Sequence, residues 1–134
     1  MSPEEIASFL DTRPGWAVLC TVLSDGTPHA VPLGYFMQGA DMVLGAMEGT
    51  QKVVNVARNP RVSVLVEHSE GSELQGVMLV GTATLVRDDD ERLHLGREAA
   101  RQRGLPEAEW PQQARPGGVY IRVHPNRHIT WHYR

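Results

Sequence analysis

The sequence has one cysteine, one lysine and no apolar run near the roughly 20 residues that a membrane helix needs. A single cysteine, Cys20, rules out an internal disulfide. Its apolar neighbours make it a packing residue rather than a nucleophile. Positive charge is not in surplus, since the formal net charge is -3, and aromatic and basic residues do not interleave. Nucleic acid is therefore not the expected partner. Membrane insertion is likewise not expected. Glu4 and Glu5 stand where a secretory signal would carry bases, so a cytoplasmic protein is expected. The 134 residues suffice for one core, and residues 1–134 are expected to form a single domain.

What is present reads mainly as strand. Ser2 to Glu5 has the pattern of a capping box with proline at the helix start, and Ile6, Phe9 and Leu10 follow at helical spacing. Residues 16–23 form a short apolar strand, and Ser24 to Thr27 is a hairpin turn. Residues 28–37 read as one return strand, with Pro28 and Pro32 pointing to an edge or a bulge. Residues 42–47 give a third strand. Residues 51–59 change to helical period, with Thr50 at the N-cap position. On this helix Val53, Val56 and Ala57 share the inner side, while Lys52, Asn55 and Asn59 share the outer one. Residues 61–67 alternate as a strand, 68–75 read as a polar loop, and 76–87 as a long strand bent at Gly81. Asp88 to Asp90 cap a helix over 91–103 that Gly104 ends. Three prolines make 105–117 a loop, and two strands, 118–123 and 129–133, close the chain. Six or seven antiparallel strands with frequent turns predict a mainly β barrel with a few helices.

The solitary lysine carries the most information. Of 13 Lys and Arg residues only Lys52 is lysine, and it sits in the first turn of a short helix. A cation there opposes the helix dipole, whereas a bound anion would welcome it. Asn55, one turn on, could add a donor. The same pattern also describes a solvated surface lysine, and the glycines of a triphosphate-binding loop are missing. His124, His128 and His132 recur every four residues. On a strand neighbouring members of that series lie roughly 13 Å apart at ~3.3 Å per residue, too far for one metal ion. Arg127 and Trp131 could hold an acidic group and stack on a heterocycle, or Trp131 could close the core.

Four segments in order resemble a known family. They are Thr21 to Pro32, Gly49 to Val64, Gly76 to Ala83, and Arg127 to Trp131. Together they resemble the split-barrel flavoproteins related to pyridoxamine 5'-phosphate oxidase, and within these the small proteins assigned to the deazaflavin F420. The resemblance implies a six- to seven-stranded antiparallel split β-barrel of the FMN-binding type, and a homodimer with a cofactor at each shared edge. It implies that Lys52 binds the cofactor phosphate, helped by Thr50, Gln51 and Asn55. Backbone at Val31, Pro32 and Leu33 would face the ring, and Arg127 and Trp131 would arrive from the second copy. The sequence is shorter than the true oxidases and lacks their C-terminal arginine cluster, so oxidation of pyridoxamine phosphate itself is not implied.

The expected chemistry is hydride transfer between F420 and a small unsaturated substrate, with the cofactor making the bond. FMN in place of F420 is the alternative, and a non-catalytic flavin- or haem-binding module is a third reading. No triad or carboxylate pair stands out. Tyr35 and His29 are the protein's candidate proton donors.

Overall fold

A computed structural model describes residues 1–134. The elements run α1 (Pro3–Asp11), β1 (Ala17–Val22), β2 (Pro28–Leu33), β3 (Tyr35–Gln38), β4 (Asp41–Met47) and α2 (Gln51–Arg58). Then come β5 (Arg61–Glu70), β6 (Glu73–Val86), α3 (Asp89–Gln102), a short 3-10 turn (Glu107–Glu109) and β7 (Gly118–Tyr133). All seven strands join one antiparallel sheet in the order β2-β1-β5-β6-β7-β4-β3. The two edge strands, β2 and β3, are consecutive in the chain, with Gly34 alone between them. A sheet whose two edges are tied by one residue must curl on itself. No ladder joins those edges, so the barrel remains split.

Three expectations are corrected. Residues 28–37 are not one strand: the chain breaks at Gly34 and crosses from one sheet edge to the other. The expected loop at 68–75 is instead a continuation of β5 and β6, joined by the two residues Gly71 and Ser72. The last two expected strands are one, because β7 runs through Pro125. A register shift opposite Val80 and Gly81 absorbs the proline there. A side chain at Gly81 would collide with the carbonyl of His124, so the bulge requires glycine.

The barrel interior is the main core, with Leu19, Met42, Leu44, Val64, Leu79 and Ile121 fully enclosed. Alternation along β1, β5 and β7 supplies it. Helix α1 begins with the expected capping box at Ser2 and Glu5 and ends with Leu10 in this core. Helix α2 plugs the barrel with Val53 and Val56, but Ala57 is exposed and Asn55 buried, the reverse of the expected sides. Helix α3 covers the outer sheet face through Leu95, which packs with Phe36, Val43 and Val86. Cys20 is half-buried rather than enclosed. No helix is long and apolar enough to cross a membrane.

Candidate functional site

Helix α2 starts where β4 ends, and its opening turn differs from those of the other helices. Thr50 is at the N-cap but makes no side-chain bond to the helix amides. Its hydroxyl donates back to the Met47 carbonyl at 2.7 Å. The first turn carries no acid. The first backbone N–H groups of a helix have no intrahelical acceptor, so this end presents unmet donors and the positive pole of the dipole.

A cleft of about 510 Å³ opens beside this turn and is lined by Thr50 and Lys52. Its other walls come from α3 (Arg92, Gly96), from the start of β7 (Gly118, Tyr120) and from the loop before it (Pro111, Arg115). The loop over 105–117 is thus a wall of the cleft. Gly34 and Gly45 form a floor without side chains, and Cβ atoms there would lie 3.9 Å from the Trp16 ring and 3.8 Å from the Tyr120 ring. No carboxylate lines the cleft, although the chain as a whole is net negative. The nearby Glu48 is spoken for: Arg87 donates to it at 2.6 Å and holds its carboxyl below the usual range. Arg92 is also committed, donating to Asp89 at 2.7 Å and to the Arg115 carbonyl at 2.7 Å, so it braces the wall. Lys52 and Arg115 form no ion pair and remain as the cleft's free cations. Such a volume suits a small organic ligand, and the charge pattern selects an anionic one.

The structure gathers some of the expected site residues and separates others. Thr50 and Lys52 line the cleft together. Gln51 turns away, donating to the Asn55 side-chain oxygen at 2.7 Å. Asn55 is fully buried, and its amide donates to the Thr21 hydroxyl at 3.0 Å. It cannot offer a donor to a phosphate in the cleft; it fastens α2 to β1. Val31 and Leu33 pack against the core and Pro32 is exposed on the edge strand, while the next residue, Gly34, reaches the cleft. Arg127 and Trp131 lie far along β7 from Gly118, opposite Val80 and Gly76. Neither lines the cleft, so within one chain they do not join Lys52 there. Trp131 covers Gly76, where a side chain would strike its ring.

Neither side-chain proton donor is placed for the task. The Tyr35 hydroxyl donates to the Leu10 carbonyl at 2.7 Å, and burial pushes its pKa up to about 12. His29 lies on the edge strand outside the cleft, with Nδ1 buried and without a partner. The C-terminal histidines are strung along one strand with separate neighbours. His124 meets Asp41 at 2.8 Å and His132 meets Glu73 at 3.9 Å. Sequence reasoning missed Arg115, Gly34 and Gly45. The loop prolines hid the first, and nothing local marks a glycine as a cleft floor rather than a turn.

Comparison with known proteins agrees with this architecture. A sequence profile described as pyridoxamine 5'-phosphate oxidase matches residues 2–132. A conserved hypothetical protein from Mycobacterium tuberculosis superposes with TM-score 0.81 at 27% identity, over 98% of this chain and 84% of that one. An FAD-binding protein from Mycobacterium smegmatis gives TM-score 0.72 at 21% identity, over 100% and 98%. A protein described as an F420 reductase gives TM-score 0.66 at 23% identity, over 91% and 94%. No curated protein sequence matches the chain.

Proposed function

Because the chain belongs to the pyridoxamine 5'-phosphate oxidase family, we propose that it is an oxidoreductase that holds F420 by its phosphate at the start of α2 and reduces a small unsaturated substrate. The observation that carries this reading is the uncapped, acid-free opening of α2 beside Lys52, facing a cleft without carboxylates. Thr50, Lys52 and Arg115 are the groups that would hold the phosphate. The bare floor at Gly34 and Gly45 leaves room for a flat ring system. When bound, the cofactor supplies the hydride. The protein's part is to anchor, to orient and to keep water out beneath the 105–117 loop. With Tyr35 tied to Leu10, the proton for the substrate comes from solvent.

FMN offers the same phosphate to the same anchor and is the competing occupant. We further propose that a second copy completes the site with its Arg127 and Trp131. Half of β7 supports this: Ile129 and Tyr133 are 40% and 63% exposed there, an apolar face with no cover in one chain.

Titration of the purified protein with F420 and with FMN, followed by fluorescence, tests the reading. Tighter binding of F420 is expected. Lys52→Ala should weaken that binding by about 1.5–3 kcal/mol, the worth of a charge-assisted contact. Unchanged affinity would show that the anchor lies elsewhere. The expected mass in solution is that of a dimer. Full cofactor affinity in a clean monomer would remove Arg127 and Trp131 from the site.

A further inference from the structure

The floor at Gly34 and Gly45 is shared. On the side away from Lys52 it continues into a second cleft of about 520 Å³, and Tyr120 lines both. This far end is walled by Arg13, Trp16, Tyr35, Phe36, Ala99 and Arg103. Two arginines 90 positions apart in sequence meet there, and no acid lines the space.

Arg13 is held in place at a cost. It is the chain's one non-glycine residue with positive φ, at 49°. Such a backbone is strained and persists only when its surroundings enforce it. Its N–H donates to the Leu10 carbonyl at 3.2 Å, and its guanidinium donates to the Gln102 carbonyl at 3.0 Å. The side chain is thereby stretched across to the last turn of α3, where Arg103 stands. Arg103 has no ion-pair partner. Beside them the Trp16 side chain is 69% exposed, the most exposed large apolar group in the chain. An unpartnered indole next to two guanidinium groups offers a stacking face and a carboxylate fork in one place.

We infer that this far end binds the carboxylate of a planar aromatic acid, with Arg103 and Arg13 as the anion contacts and Trp16 as the stacking wall. The inference rests on the redox reading only in calling that acid the substrate: its ring would extend over the shared glycine floor toward the cofactor end. A neutral planar molecule would satisfy the indole but leave the guanidinium groups unmatched.

The test uses 2-naphthoate as probe and 2-naphthamide as its neutral counterpart, on the intact protein, read by calorimetry and by tryptophan fluorescence. Naphthoate should bind saturably and quench fluorescence, and the amide should bind about tenfold more weakly or worse. Arg103→Gln should weaken naphthoate by about tenfold and leave the amide unchanged. Arg103 is exposed, so this variant keeps its fold. Trp16→Phe should abolish the quench. Lys52→Ala and added inorganic phosphate should leave naphthoate binding intact, because they act at the other end. Equal affinity for acid and amide, indifference to Arg103→Gln, or displacement by phosphate would each overturn the inference. Cofactor titration is a separate readout: loss of F420 and FMN binding with naphthoate binding intact would sink the redox reading alone.

Discussion

Helices α2 and α3 begin in opposite ways. Asp88 caps α3 by accepting from the Glu91 amide at 2.9 Å, and Asp89, Asp90 and Glu91 fill its first turn. Every charge there complements the helix dipole from within the chain. At α2 the N-cap hydroxyl is turned to Met47, the first turn has no acid, and the only lysine of the protein stands in it. The α3 start is self-sufficient and faces solvent. The α2 start is incomplete and faces a cleft. The same chain can build the finished version, and this contrast is what the proposed phosphate anchor rests on.

Making α2 resemble α3 should have the largest effect. Thr50→Asp places a capping carboxylate over the free amides and beside Lys52. Helix stability should rise by up to ~1 kcal/mol, read as a higher melting temperature without ligand. Cofactor affinity should fall on the order of a hundredfold, because the carboxylate occupies the anion's place and repels it. A stabilised protein with unchanged affinity would break the comparison. Lys52→Ala should follow with a comparable or smaller loss of affinity, since the amides remain.

The reverse change belongs to α3. Asp88→Ala removes a satisfied cap, and the expected cost is ~1 kcal/mol of stability. Thermal denaturation should show it as a drop of a few degrees. Cofactor affinity should not move, because Asp88 touches no part of the cleft. A fall in affinity equal to that from Lys52→Ala would mean that the two helix starts are coupled, and the contrast between them would lose its meaning.

The contrast was largely legible in the sequence, because both helix starts are local chemistry. Ser2 to Glu5, Asp88 and Lys52 each announce their position within four residues. The strands were also legible where alternation reports burial, as in residues 61–67. Long-range geometry was not. Nothing near Gly34 says that the chain there steps from one sheet edge to the other, since that follows from the closure of the whole sheet. Pro125 looked like a break, but a bulge opposite Gly81 let β7 continue, and the glycine lies 44 positions away. Asn55 looked like a surface donor because its partner, Thr21, is on another element. The cleft floor and the Arg13–Arg103 meeting fail to show for the same reason: each is made by residues distant in the chain.

The far end of α3 supplies the smallest and sharpest check. Arg101 donates to Glu98 at 2.5 Å and Gln102 donates to it at 3.0 Å; these bonds bring its pKa down to about 2. Gln102 also donates to the Met37 carbonyl at 2.8 Å and so ties α3 to β3. The depressed folded pKa sets the sign. The stabilisation is fully present above the unfolded value of 4.5 and is lost as pH falls through about 2. Arg101 is solvated, Glu98 is half-buried and the two are spaced i,i+3, so the pair's worth is only a few tenths of a kcal/mol. Glu98→Gln should therefore lower stability slightly at neutral pH and flatten the acid limb between roughly pH 4.5 and 2. Because Glu98 lines no part of the cleft, cofactor titrations of this variant should match the parent at every pH. A pH-dependent change in affinity would show that α3 shares the anion with α2 after all.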